Sequence, residues 1–163
     1  MSNASQTPAP RALSFERFDA IRQELDRLER GGYDQAGQWN LGQTAAHLAD
    51  WIHFSLDGYP TTPWFFRPVL CVARHSFGPR KLRETLRNGR MPDGLPTLSE
   101  TVHPIGDDES AAVDRLRRAL DRLEHHTGRI EPSPMFGEVD HATTCHMHRI
   151  HCAHHLRLLV PKS

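Results

Sequence analysis

The 163 residues set 20 Lys+Arg against 20 Asp+Glu, and 12 histidines sit on that neutral ground. A chain of this length buries a substantial core as one domain, and its charge balance excludes a global field drawing it to nucleic acid or membrane. No stretch reaches the roughly 18 apolar residues of a membrane span, and the odd cysteine count (71, 145, 152) has no disulfide-framework spacing, so a reduced, cytoplasmic setting is predicted.

Residues 1–12 are polar and proline-containing and read as a disordered segment ahead of a single domain over 13–163. A first helix is predicted over Phe15–Arg30, with Ser14 as N-cap and Gly31-Gly32 as its stop; Phe18, Ile21, Leu25 and Leu28 recur at helical spacing. Asn40 and Gln43 form a capping-box pattern ahead of a second helix, Leu41–Asp57, which Gly58, Pro60 and Pro63 close. This helix carries two apolar stripes, one through Leu41, Ala45, Leu48 and Ile52, the other through Thr44, His47, Trp51 and Phe54. Apolar residues around so much of the circumference predict burial on more than one side, as in a bundle. His47 then points inward, either as a core histidine satisfied by a backbone carbonyl or as a ligand.

From Trp64 to Asn88 the chain is apolar, then basic. Helix is predicted here, with an irregularity at Pro68 and a break at Gly78-Pro79. Arg80, Lys81, Arg83, Arg87 and Arg90 make a local basic patch, readable as a solvated face or as a seat for a carboxylate or phosphate. Residues 91–106 read as a long loop of the length lids and binding segments have. Asp107 or Asp108 can cap a helix over Glu109–His126, with Ala112, Val113, Leu116, Leu120 and Leu123 on its apolar stripe. Asp140 can cap a final helix, His141–Leu159. No strand-like alternation and no internal repeat appears, so the expected fold is all-α.

Six of the twelve histidines fall between His141 and His155. In a helix His148, His151 and His155 share one stripe, and His151 and His155 project side by side at i, i+4. Two imidazoles so placed can share a metal at about 2.0–2.1 Å each. Cys152 follows the first histidine, so the motif lacks the glutamate of a zinc-protease HExxH. Two histidines do not close a site, and His47 is the inward-facing candidate for a third ligand. Asp50, one turn beyond His47, is a candidate for hydrogen bonding behind the ligands or for proton transfer, or else an exposed helix carboxylate. His148 reads as extending the polar stripe, His154 as packing on a neighbouring helix, and Cys152 as a small core residue.

Gln38-Trp39-Asn40-Leu41-Gly42-Gln43 followed by His47-Leu48-Ala49-Asp50, together with His151-Cys152-Ala153-His154-His155, resembles the two signatures of the DinB-like (YfiT-like) superfamily. Phe54-Ser55-Leu56-Asp57-Gly58-Tyr59-Pro60 and Ser133-Pro134-Met135-Phe136-Gly137 are similar to a bacterial branch of unassigned function. The resemblance spans Leu13 to Pro161. It implies a four-helix bundle with one long crossover connection, a divalent metal (nickel, zinc or manganese) on His47, His151 and His155, and a homodimer. Characterised relatives include transferases and isomerases using bacillithiol, mycothiol or glutathione. The chain departs from the pattern at Thr144, where a tryptophan is expected, and at His155-Leu156-Arg157-Leu158-Leu159, where the family reads closer to HLSFL.

Three imidazoles suit zinc, nickel, copper or iron and leave coordination positions free, as catalytic metal sites do. Three functions follow: a metal-dependent enzyme, such as a transferase using a low-molecular-weight thiol or a hydrolase acting on a small molecule; a metal-binding carrier, sensor or stress-related protein without turnover; or a structural bundle whose histidines hydrogen-bond and titrate. No nucleic-acid or membrane partner is expected.

Overall fold

Helical periodicity carries the apolar residues into six α-helices among the described residues: α1 (Phe18–Gly31), α2 (Leu41–Asp57), α3 (Arg67–His75), α4 (Gly78–Asn88), α5 (Glu109–Glu124) and α6 (His141–Leu156). Short 3-10 turns stand at Trp64–Phe66 and Ser99–Thr101. The computed structural model describes residues 8–61, 64–94, 97–106 and 108–162. Residues 1–7 of the expected disordered segment, and Asp107 as an alternative cap, lie outside them. Within residues 8–12, Arg11 is tied down: its guanidinium donates to Glu24 at 2.6 Å and to the Leu156 carbonyl at 3.1 Å.

The start of α2 is fixed residue by residue. The first backbone N–H groups of a helix have no partner inside it. Here the Leu41 N–H donates to the Tyr33 hydroxyl, the Gly42 N–H to the Glu109 carboxylate and the Gln43 N–H to Asn40 Oδ1. Gln43 Oε1 accepts the Asn40 N–H in return, completing the capping box. Tyr33 also donates to Glu109 at 2.7 Å, so one carboxylate joins the α2 start to α5 and favours the positive end of the helix dipole. Asp140 caps α6 by accepting the Thr143 N–H at 2.7 Å, and the bond holds its carboxyl below the usual carboxylate range.

α2 packs along α5 and α6, and α1 also packs against α5 and α6. The seam between them is filled by Ile21, Leu25 and Leu28 from α1, Leu41, Leu48 and Ile52 from α2, Leu116, Leu120 and Leu123 from α5, and Leu156 from α6. No helix among the described residues is long and apolar enough to cross a membrane.

Four features differ from the sequence-based expectation, one of them being that α5 closes at Glu124, two residues before His126. α1 starts at Phe18, not Phe15, because Phe15 turns into the core from non-helical chain and the flanking residues bend. α6 stops at Leu156 because Leu159–Pro161 forms a strand, β2, antiparallel to β1 (Tyr33–Gln35) in the register Tyr33↔Pro161, Asp34↔Val160 and Gln35↔Leu159. Three-residue strands are too short to show alternation in the sequence. The Trp64–Asn88 segment is divided as expected at Gly78, but a 3-10 turn precedes α3. The basic residues of α4 are exposed, with Lys81 paired to Glu84, and Arg90 just beyond the helix pairs with Asp93.

Leu120→Ala removes a side chain with no solvent exposure from α5. A cost of about 2–5 kcal/mol is expected in urea unfolding. A loss under about 1 kcal/mol would show that this seam is not the core.

Candidate metal centre

α2 and α6 lie side by side and turn His47, His151 and His155 toward one another. The His151 Nε2 is 3.3 Å from the His47 Nε2 and 3.1 Å from the His155 Nε2. All three donor atoms lie within 4.8 Å of one another. Nitrogens bound at about 2.0–2.1 Å to one tetrahedral ion sit about 3.3 Å apart, which the two separations from His151 match.

The chemistry of the donors agrees with the spacing. A carbonyl oxygen only accepts, so the 3.1 Å contact of His47 Nδ1 with the Thr101 carbonyl puts the proton on Nδ1 and leaves Nε2 a bare lone pair. Between neutral rings, a proton on His151 Nε2 can point at His47 or at His155, but cannot serve both contacts well. Extra protons are disfavoured. Desolvation lowers the His47 pKa to about 4 and that of His155 to about 2, and it holds His151 well below its ordinary value. Mutual repulsion among the rings adds to the effect at His151 and His155. Three uncharged nitrogens facing one space form a group that can hold a metal ion.

The surrounding shell is mostly aromatic. Trp39 stacks on His155 with centroids 5.6 Å apart and planes 11° from parallel. It reaches there because β1 and β2 zip the α1–α2 connection to the chain after α6, helped by the Ala36 N–H donating to the Leu158 carbonyl at 2.8 Å. Trp51 lies edge-on to His151 at 6.0 Å, and its buried Nε1 has no hydrogen-bond partner among the described residues.

Asp50 is buried, but it bonds none of the three histidines. Its carboxylate accepts from His103 Nε2 at 2.6 Å and from Arg115 at 2.5 Å. Gln43 Nε2 also donates to the His103 carbonyl at 2.8 Å. Two α2 side chains therefore clamp the segment whose Thr101 carbonyl orients His47. The 97–103 part of the expected loop is thus a fixed wall, with Thr101 wholly buried. His148 turns away from the group, buried, with its Nε2 2.9 Å from Ser55 Oγ. His154 is half-buried, 3.9 Å from Asp93, and Arg157 also pairs with Asp93 at 2.5 Å. Cys152 is a buried core residue whose thiol pKa is pushed up to about 12 by desolvation. Thr144, at the position where the family resemblance expects tryptophan, is buried and donates to the Asp140 carbonyl. Thr101, His103, Arg115 and the Ser55–His148 pair carried no local sequence signal, since each meets its partner across more than a helix length of chain.

A family model described as "Protein of unknown function (DUF1569)" matches residues 7–162. No curated protein and no solved structure matches the chain.

Burial also sets a pH dependence. His47 and His148 take up a proton near 4 in the folded chain, against about 6.5 when unfolded. The unfolded chain therefore binds more protons between these values, and stability is whole above about 6.5 and declines as pH falls toward about 4. In chelator-treated protein, urea midpoints should drop between about pH 7 and pH 5, with His148→Gln flattening the slope by about one proton. A midpoint independent of pH over that range would contradict the buried, neutral state of these rings.

Proposed function

The chain belongs to the DUF1569 family, and we propose that it is a divalent-metal enzyme of the DinB-like four-helix-bundle type, acting on a small molecule. The observation that carries the reading is the convergence of the His47, His151 and His155 Nε2 atoms. The cyclic packing of α1, α5, α2 and α6, with the long connection between α2 and α5, supports the bundle. Nickel, zinc or manganese is the metal class the resemblance implies.

His47, His151 and His155 would hold the ion as neutral ligands, and its undiminished charge would favour the deprotonated form of a thiol or water bound there. The chain's own residues do the rest. Thr101 keeps the His47 proton on Nδ1, so the Nε2 lone pair would be available to an ion. Asp50 and Gln43 hold the Thr101 segment in place. Trp39 covers one face of His155 and limits water there. The Trp51 N–H, without a partner among the described residues, offers a hydrogen bond to an anionic substrate atom. A low-molecular-weight thiol is the substrate class we favour, because a doubly charged, carboxylate-free centre stabilises a thiolate.

Protein purified without nickel resin and reconstituted with zinc, nickel or manganese should retain one ion per chain after dialysis, read by elemental analysis. His151→Ala and His155→Ala should lose it, while His125→Ala, an exposed histidine elsewhere, should keep it. Equal loss in the His155 and His125 variants would mean nonspecific binding and end the proposal. Metal-dependent consumption of bacillithiol, mycothiol, glutathione or cysteine with chloro-dinitrobenzene tests turnover. No rate above the His151→Ala control leaves metal binding without catalysis as the function.

We also propose self-association through the 64–77 segment, where Trp64, Val69, Val72 and Phe77 are 78%, 62%, 63% and 52% exposed. Light scattering should give a dimer mass that falls to monomer in Trp64→Ser/Val72→Asp. A monomer at every wild-type concentration would refute this.

A further inference from the structure

Two sequence stretches remain outside the metal centre, the one ending at Tyr59-Pro60 and the 131–137 connector, and the fold brings them together. With α3 they line a cleft of about 440 Å³ whose walls include Tyr59, Pro60, Leu70, Arg74, Glu131 and Pro134. That volume lies in the range of small-molecule sites.

The cleft is held in shape. The Glu131 N–H donates to the Ser55 carbonyl at 2.9 Å, which fixes the connector to α2. Ser133 and Gly137 exchange backbone hydrogen bonds at 2.8 and 2.9 Å, closing a loop that presses on the α3–α4 junction. The approach is close enough that a Cβ on Gly78 would stand 2.1 Å from the Met135 carbonyl oxygen, so only glycine fits. Gly137 is constrained by its backbone, at φ +78°, and the Arg74 side chain lies against it, with Nε 2.9 Å from where a Cβ would stand. Arg74 is thereby laid across Gly137 at the cleft wall. The prolines add walls with little conformational freedom to lose on binding.

Opposite charges line this space without meeting. Arg74 and Glu131 make no ion pair and no side-chain hydrogen bond with any described residue. Elsewhere the molecule pairs its acids and bases freely, as at Arg117 with Asp26 and Glu29, or Arg122 with Asp57. A guanidinium suits a carboxylate, and a carboxylate suits an ammonium. Tyr59, Leu70 and the prolines offer apolar surface between and beside them.

We propose that this cleft binds a small zwitterion, its carboxylate on Arg74, its ammonium on Glu131 and an aliphatic portion against Tyr59 and Leu70. The site is separate from the three histidines, with Trp51 between Tyr59 and His151 at centroid distances of 6.4 and 6.0 Å. The inference does not rest on the metal reading.

The test is titration of the full chain with L-leucine, followed by backbone amide NMR shifts, with 4-methylpentanoate and 3-methylbutylamine as probes lacking one charge each. Saturable shifts at residues 59–61, 70–75 and 131–134 are expected for L-leucine. Each single-charge probe, and each of Arg74→Gln and Glu131→Gln, should weaken binding about tenfold or more, the size of one lost charged hydrogen bond. His155→Ala should bind L-leucine as the wild type does. The proposal is overturned if L-leucine gives no saturable shifts, if both charge variants bind it normally while amide spectra show them folded, or if His155→Ala abolishes binding, which would put the ligand at the histidines.

Discussion

Three imidazole nitrogens whose lone pairs face one buried space cannot be satisfied by protons alone. That constraint gives the interior of this chain its organisation. A carbonyl takes one ring proton, burial discourages more, and among the described residues no carboxylate enters the group to supply countercharge. A purely structural histidine cluster would spread its rings toward separate acceptors, as His148 does with Ser55 and as His141 does by donating to the Leu123 carbonyl. His47, His151 and His155 instead point their Nε2 atoms at each other, an arrangement compatible with a metal ion between them.

The scaffold around that group divides the work by distance along the chain. The α2 start sets the height of His47, with three backbone N–H groups each given its own acceptor. The 97–103 segment sets the rotation of its ring, and Asp50 anchors that segment through His103, with Arg115 engaging the other carboxylate oxygen. Asp50 thus acts through two intermediaries, a carbonyl-bearing segment and a ring. Such an arrangement positions a ligand while keeping negative charge out of the ligand group.

Much of this was legible in the sequence because it is local. The i, i+4 spacing of His151 and His155, the Asn40–Gln43 capping box and the inward stripe of His47, Trp51 and Phe54 are all read within one or two helical turns. What was not legible depends on long-range pairing. Nothing near Thr101 marks its carbonyl as the acceptor for His47, and nothing in Tyr33-Asp34-Gln35 shows that it will find Leu159-Val160-Pro161. Ser14 has the chemistry of an N-cap, yet burial of Phe15 outweighs it and the helix begins later. Asp50 illustrates the same limit. Its place on α2 was evident, but its partners come from the connector and α5.

The two-stranded sheet has a consequence for the order in which the molecule assembles. β1 and β2 are separated by most of the chain, so their pairing carries a large loop-closure cost that earlier helix contacts must already have reduced. During synthesis α1, α2 and α5 can collect their leucines while the α1–α2 connection still lacks its partner strand. Trp39 is then unseated, and His47 faces a groove with no companions. Two of the three histidines stand on α6, so the group is complete only once α6 has packed beside α2. Completion of the three-histidine group and closure of the sheet both wait on α6 and the strand that follows it.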